Sequence, residues 1–409
     1  MFLDTRISVM KRILVVIQTP TFGGPHNQMS RSAEALRARG WELSALLPDE
    51  ADSRARECFA DAGCRVFTTR INRLRKSLNP KLHWEFLTRF RSQTRAMAEL
   101  MKKEQIDLVQ VCGLMTLQPA FAAKRAGLPV VWQMLSLFAP MPLRGWLTKV
   151  VIKRADVAMT TGMEVARKHP GLVEHFGERL IPFFAPVDTD SFRLTPEKRA
   201  EARAEMGVPR DAIVIGSVGN QNWQKGHDYF VRAAAMVAEK CENVYFRIYG
   251  QKTAANASFY KKEVVEWADR KGLFENGRLA IQEPPLPIAT LLTGMDIFTL
   301  SSRTEGTPTA LMEAMSVELP SVATRVGSVG EIIRDGEDGL LVEAGDSEAL
   351  ASAWLKLIED DGMRRAFAAR AREAAVTTFD TRFCAERHSA AYEAALSRLP
   401  GISRDESEV

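Results

Sequence analysis

The feature that most limits what this chain can become is a series of short, β-rich apolar runs separated by helical stretches, and the series occurs twice. The first series holds "RILVVIQT" (12–19), "ELSALLP", "CRVFTT", "DLVQVCG", "LPVVWQM" and "ADVAMTT". Short apolar runs alternating with helices mark parallel strands covered on both faces. After the first run come Gly23 and Gly24, then a helical pattern over about 27–39 that stops at Gly40. Near 185–210 the texture changes to "APVDTDSFRLTPEKRAEARAEMGVP", a polar segment with prolines at both ends that reads as an interdomain connection. The alternation then restarts with "AIVIGSVG", "VYFRIYG", "LAIQEP", "DIFTLSS", "PSVATRV" and "GLLVEAG". A last helical segment, 382–397, has no strand after it and is placed to pack back across the other domain. The fold class is therefore α/β, with two Rossmann-like, doubly wound domains in series.

The 409-residue length agrees with two domains. No apolar run reaches the ~18 residues needed to cross a bilayer. The opening "MFLDTRISVMKR" passes directly into a strand, which does not read as a signal peptide. Five scattered cysteines without a Cys-x-x-Cys pair read as reduced, mostly buried thiols. The expected location is cytoplasmic.

The net charge of +4 hides an asymmetry. Residues 1–190 carry 28 Lys and Arg against 18 Asp and Glu, a net of +10, and the remainder is −6. Residues 70–103 hold ten Lys or Arg, with Leu74, Leu78, Leu82, Trp84, Phe86 and Phe90 interleaved. The segment 141–154, "MPLRGWLTKVVIKR", repeats the mixture. Such faces suit an anionic membrane surface or an ordinary solvated helix over core residues. Nucleic acid is not expected as a partner, since no nucleic-acid fold signature accompanies them.

Residues 296–315 concentrate the candidate chemistry. "DIFTLSS" ends a strand, so the following loop lies at the carboxyl edge of a parallel sheet, where open α/β folds bind ligands. Thr307 and Pro308 fit an N-cap and a first helical position, leaving N–H groups at Thr309 and Ala310 as an anion site. Glu305 precedes that site, and Glu313 lies five residues beyond Pro308, about 7.5 Å along the axis. On spacing alone, a capped helix with two exposed glutamates is the commoner outcome. The alternative is a nucleoside-diphosphate sugar, with its pyrophosphate at the helix start, Glu313 on the ribose hydroxyls and Glu305 facing the sugar. In "SVGNQNWQKGHDYFVRAAAMV", Lys225 beside Gly226 stands at a helix entrance and suits a phosphate contact. Asp188-x-Asp190 reads as a turn or cap rather than a metal site.

Taken together, these stretches resemble the retaining glycosyltransferases of family 4, which share the GT-B fold. The resemblance runs through "FGGPHNQMSRSAEALRARGWELSALLP", "PVDTDSF", "SVGNQNWQKG", "FRIYG", Glu305-Gly306-x-Pro308 with Glu313, and "GSVGEIIRDGEDGLLVEAGD". It implies two domains facing a cleft: an acceptor domain over 1–190, a donor domain over 191–378, and a crossover helix and tail over 379–409. It also implies transfer of a hexose-type sugar from a nucleotide-diphosphate donor to a saccharide or lipid-linked acceptor, with retained anomeric configuration. Envelope polysaccharide or glycolipid synthesis is the expected setting, peripheral to the inner face of the cell membrane. Glu305 takes the catalytic position by this resemblance. Gly23, Gly24, Asn220, Lys225, Gly250, Gly306, Thr307, Pro308, Thr309 and Glu313 take donor-binding positions. His26 is the one His in a loop of the right kind for an acceptor or sugar contact. No metal or other cofactor is expected.

Two departures from the family pattern stand in the sequence. Asn220 replaces the usual Arg after Val-Gly, so either Lys225, with Arg303 or Lys252, supplies the phosphate charge or the donor is held more weakly. Gln133, Met134, Leu135 and Ser136 occupy the neighbourhood where a first-domain His is common. They leave open a sugar-nucleotide epimerase of the same fold, or a non-catalytic nucleotide-sugar-binding partner subunit.

Overall fold

The computed structural model describes residues 10–74, 80–135, 139, 141–254 and 256–398. Arg75, Lys76 and Leu78 of the basic stretch, and Ser136, lie outside the described residues. The chain forms two units: residues up to Pro186 with those from Thr381 onward, and Val187–Asp380.

In the first unit, β1 (Lys11–Ile17), β2 (Trp41–Pro48), β3 (Arg65–Thr69), β4 (Leu108–Cys112), β5 (Val130–Met134), β6 (Val157–Thr160) and β7 (Leu180–Pro182) form one sheet. Its order is β3-β2-β1-β4-β5-β6-β7, and every pairing is parallel. The fully buried Ile13–Val16 stretch of β1 fills the middle of that sheet, as a central parallel strand requires. The strand order reverses between β1 and β4, which makes their carboxyl ends a topological switch point. Three helices cover one face: α3 (Pro80–Lys103), α4 (Gln118–Ala126) and α5 (Met141–Arg154), joined through Phe86, Met97, Ala120, Leu147 and Val151. α1 (Gly24–Arg37) and α2 (Ser53–Asp61) pack with the other core cluster. The three-residue β7 leaves no mark in the sequence pattern, since "LIP" is too short to carry a periodic signal.

α1 begins at Gly24, three residues earlier than its apolar pattern predicts, because Pro25 sits comfortably in a first helical turn. The C-terminal helix Thr381–Leu396 is held to this unit by buried polar bonds. Trp41 Nε1 donates to Ser389 Oγ at 2.9 Å, and the Tyr392 hydroxyl donates to Gln110 Oε1 at 2.5 Å. Gln133 Nε2 lies 2.8 Å from His388 Nε2, while His388 Nδ1 lies 2.8 Å from the Cys384 carbonyl. The carbonyl must accept, so Nδ1 carries the proton and Nε2 accepts from the Gln133 amide. Gln133 is therefore a buried clamp for the last helix.

Burial pushes His388 down to about 4 from an ordinary 6.5. Between those values the unfolded chain binds a proton that the folded chain refuses, so stability falls as pH falls through that window. The expected loss is about 3 kcal/mol for this residue, at about 1.4 kcal/mol for each pH unit of the window. Denaturant melts at pH 7 and pH 4.5 check it, with His388→Gln expected to flatten the dependence.

In the second unit, β8 (Ile213–Val218), β9 (Val244–Tyr249), β10 (Leu279–Gln282), β11 (Ile297–Leu300), β12 (Ser321–Thr324) and β13 (Gly339–Val342) pair in parallel in the order β10-β9-β8-β11-β12-β13. The order reverses between β8 and β11. The division from the first unit falls at 186/187 rather than 190/191, and at 380/381 rather than 378/379. The reason is local bonding. Val187 N donates to the Phe379 carbonyl at 2.8 Å, Thr189 Oγ1 to Asp380 Oδ2 at 2.6 Å, and Arg372 to the carbonyls of Thr189, Phe192 and Ser316. Asp188 accepts from the backbone N–H groups of Asp190 and Ser191 and from the Ser191 hydroxyl, so it shapes a turn.

Among the described residues, no helix is long and apolar enough to cross a membrane, and no group of three or more His, Cys, Asp or Glu is arranged to hold a metal ion. All five thiols are free, and Cys64, Cys112 and Cys384 are buried.

Candidate functional site

The loops that follow β8 and β11 meet at the switch point of the second sheet. From the first, Lys225 Nζ donates to Glu305 Oε1 of the second at 2.7 Å. The same oxygen accepts from Ser302 Oγ at 2.6 Å. The side chains are 21% and 6% exposed, so the pair sits largely out of water but with the lysine at the surface. Ser301 Oγ reaches back to the Lys225 carbonyl at 3.0 Å and fastens one loop to the other.

Glycine is required here for close approach. Gly226 has φ +61°, and a Cβ on it would lie 2.0 Å from the Ser301 carbonyl oxygen. Gly250, expected to touch a donor, also has an internal reason to be glycine: a Cβ there would lie 1.8 Å from the Gly219 carbonyl oxygen. Gly327, at φ +55°, would press a Cβ to 2.1 Å from the Glu305 carbonyl oxygen. Ser328 donates to the Gly306 carbonyl from its hydroxyl at 2.5 Å, so the "GSVG" turn braces the Glu305–Gly306 loop from behind.

The helix after this loop, Thr309–Ser316, starts one residue later than its sequence suggests. Pro308, not Thr307, occupies the cap position, with an extended ψ of 94° and no side-chain cap bond. The Pro308 carbonyl accepts from Leu311 N at 3.1 Å, so the N–H groups of Thr309 and Ala310 precede the first intrahelical bond. Proline contributes no N–H of its own, which leaves the first turn's donors to those two residues. Glu313 lies within the helix and is 7% exposed, and Glu305 is 9% exposed. Two solvated glutamates on a helix face are thereby excluded.

The remaining candidates separate. Asn220 is exposed in the loop after β8, beside Gln221, which pairs with the strand end at Lys252. Lys252 is exposed and adjacent, a second cation at the same edge. Arg303 cannot stand in for the missing arginine. Its guanidinium forks onto Asp228 at 2.8 and 2.7 Å, donates to the Trp223 carbonyl and stacks 4.1 Å from the Tyr229 ring. Asp228 and Arg303 are 75 positions apart, so nothing local in the sequence announces this clamp. Next to Lys225, His227 is fully buried against the Tyr260 hydroxyl at 2.9 Å. Burial, with the nearby lysine charge adding to it, pushes its pKa down to about 3.

In the first unit, Gly23 is extended at φ −169°, and a Cβ on Gly24 would meet nothing within 4 Å. Neither glycine is forced by a described neighbour. His26 is not in a loop: it lies in the first turn of α1 with no exposed surface, its ring centroid 6.1 Å from Phe22 and 6.5 Å from Phe59. Burial lowers its pKa, against the pull of Asp52. A surface contact with an acceptor or sugar does not fit that position.

The sequence matches the family described as "Glycosyl transferases group 1" over residues 198–374, and the "Glycosyl transferase 4-like domain" over 23–172. The chain belongs to the group 1 glycosyltransferases. Among curated relatives of this family, the D-inositol 3-phosphate glycosyltransferase of Corynebacterium urealyticum is 28% identical over 221 residues, covering 53% of this chain and 52% of that protein. The Nocardia farcinica protein of the same name is 28% identical over 220 residues, covering 53% and 48%. The chain thus spans about half the length of the curated relatives it matches.

Solved glycosyltransferase structures agree with the GT-B fold. A glycosyltransferase from Rickettsia africae superposes with a TM-score of 0.78 at 18% identity, covering 95% of this chain and 99% of that one. Anabaena Alr3699/HepE, solved with UDP and glucose, gives 0.76 at 20% identity, covering 94% and 100%.

Proposed function

We propose that the chain moves a hexose-type sugar, with retained configuration, from a nucleotide-diphosphate donor to a saccharide or lipid-linked acceptor. The observation that carries the reading is the Lys225–Glu305 pair at the β8/β11 switch point, beside the N–H groups of Thr309 and Ala310. A diphosphate brought there meets the Lys225 ammonium and a helix start, and it competes with Glu305 for the lysine. Lys225 moves from carboxylate to phosphate, which releases the Glu305 carboxylate to face the donor sugar. Glu313 takes the ribose hydroxyls, with Gly306, Thr307 and Pro308 shaping the loop between. Gly23 and Gly24 keep their donor assignment from the family resemblance alone. The acceptor oxygen bonds to the anomeric carbon as the bond from that carbon to the diphosphate oxygen breaks. The electron pair leaves with the diphosphate, and the hydroxyl proton passes to it. Lys225 and the helix start stabilise that growing charge, so no metal is assigned to the chemistry.

UDP-bound and UDP-glucose-bound forms of the Anabaena neighbour support a nucleotide-sugar donor and make UDP-glucose a suitable first substrate. Proton NMR of the product with octyl alcohol or sugar acceptors reads the anomeric configuration. An inverted product contradicts retention. Product without any acceptor favours an epimerase, and donor binding without turnover across an acceptor panel favours a binding subunit.

The inner membrane face is proposed on the same terms. Trp84, Leu87, Met141 and Trp146 are 68%, 66%, 60% and 54% exposed in α3 and α5, among exposed Arg89, Arg91, Lys149 and Lys153. Phe86 is core, and Arg144 and Arg154 are spent internally, on the Ala139 carbonyl and the Phe121 ring. Trp84→Ala with Trp146→Ala is expected to lower binding to anionic vesicles about tenfold in a sedimentation assay. No sedimentation of wild type at low salt contradicts the proposal.

A further inference from the structure

A cavity of about 560 Å³ opens at the other switch point, that of the first sheet, between the carboxyl ends of β1 and β4. Its volume falls in the ordinary range for small-molecule sites. Ile17, Leu114, Met115 and Leu135 form its apolar wall, and Gln18 and Arg73 also line it. Gln18 is 9% exposed, and its Oε1 has no hydrogen-bond partner among the described residues. A buried carbonyl left in that state carries a free-energy penalty until a donor reaches it. The lining segments at Leu74 and Ala139 lead into α3 and α5. Helices that follow parallel strands start at the carboxyl edge of the sheet. The exposed Trp84, Leu87, Met141 and Trp146 all lie in the first two turns of those helices.

We infer that this cavity seats the apolar body of the acceptor, with an acceptor hydroxyl donating to Gln18 Oε1. The acceptor is then amphipathic, a hydrocarbon joined to a hydroxyl-bearing head. A cyclic polyol phosphate, the kind of molecule named for the curated relatives, would use Arg73 and Thr116 of the lining but would set its other hydroxyls against the wall of Ile17, Leu114, Met115 and Leu135, which is the poorer match. The inference rests on the glycosyl-transfer reading for calling the ligand an acceptor, but the cavity's chemistry is tested without turnover.

The probes are hexyl and methyl β-D-glucoside, titrated into the full chain by calorimetry below micelle-forming concentrations, with UDP titrated separately. Each buried methylene tightens binding about three- to fourfold. The hexyl compound is expected to bind at least about a hundredfold more tightly than the methyl one. Met115→Gln and Leu135→Gln, both at half-buried lining positions, are each expected to weaken it about tenfold while still melting as folded proteins. Gln18→Leu is expected to erase the preference for hexyl glucoside over hexyl methyl ether. Equal affinity for the two glucosides, or lining variants that bind like wild type, would overturn the cavity assignment. UDP binding without hexyl-glucoside binding removes this inference alone. Hexyl-glucoside binding without UDP binding upholds the cavity and removes the donor reading.

Discussion

Lys225→Ala and Glu305→Gln are each expected to slow sugar transfer at least about a hundredfold, the usual effect of removing one preorganised electrostatic partner of a developing charge. What separates them is binding. Lys225→Ala deletes the cation offered to the diphosphate, so nucleotide affinity falls with turnover. Glu305→Gln removes the carboxylate that holds Lys225 at 2.7 Å, so the lysine no longer has to leave an ion pair. Nucleotide affinity is then expected to hold or rise while turnover collapses. Stability moves unequally too. Without Lys225, Glu305 keeps the Ser302 bond but loses its counter-charge in a site where its side chain is 6% exposed. A loss of about 2 kcal/mol is expected, below the roughly 3–5 kcal/mol of a fully buried pair because the lysine side reaches solvent. Initial rates with UDP-glucose, paired with calorimetric titration of UDP, check both halves.

Gly226→Ala is expected to damage the fold of the second unit as well as the site. The new Cβ meets a backbone oxygen, that of Ser301, at 2.0 Å, and a backbone atom cannot rotate away as a side chain can. The left-handed φ of +61° adds a further penalty of about 1 kcal/mol for any residue with a Cβ. Relief comes only by moving the β8 loop off the end of β11, which separates Lys225 from Glu305. A destabilisation of about 3 kcal/mol or more lowers the melting temperature by roughly 6–12 °C in a unit of this size. Calorimetric melting of the variant checks the figure. Nucleotide binding should be lost even where the variant remains folded. A wild-type melting temperature with wild-type affinity would show that the two loops do not need this contact.

Much of the architecture is legible in the sequence because parallel strands buried on both faces must be continuous apolar runs. "ILVVI" and "IFTL" leave few alternatives. The strand "LIP" is invisible there because three residues carry no period. Glu305, Glu313 and Lys225 are legible as types at a strand end or helix entrance, yet their spacing does not reveal that both glutamates are buried. That depends on contacts from far along the chain, such as Ser328 on Gly306. Gly250 reads as a ligand glycine, and its backbone crossing with Gly219 is hidden, because a close approach to Gly219 leaves the same trace in sequence as a close approach to a phosphate. Arg303 looks like a spare cation because Asp228, its partner, is 75 residues away. His26 looks like a loop residue because the apolar period of α1 fades at its proline-bearing first turn, where the ring turns inward to Phe59.

The measurement that bears most directly on the donor site is a calorimetric titration of UDP, GDP and ADP into wild type and Lys225→Ala, with thermal melting of both as a control. One diphosphate is expected to bind wild type, with an affinity at least about tenfold weaker in a folded Lys225→Ala. Equal binding by the two proteins, or no binding of any of the three by wild type, would contradict the assignment of Lys225 and Glu305 to a nucleotide-sugar site.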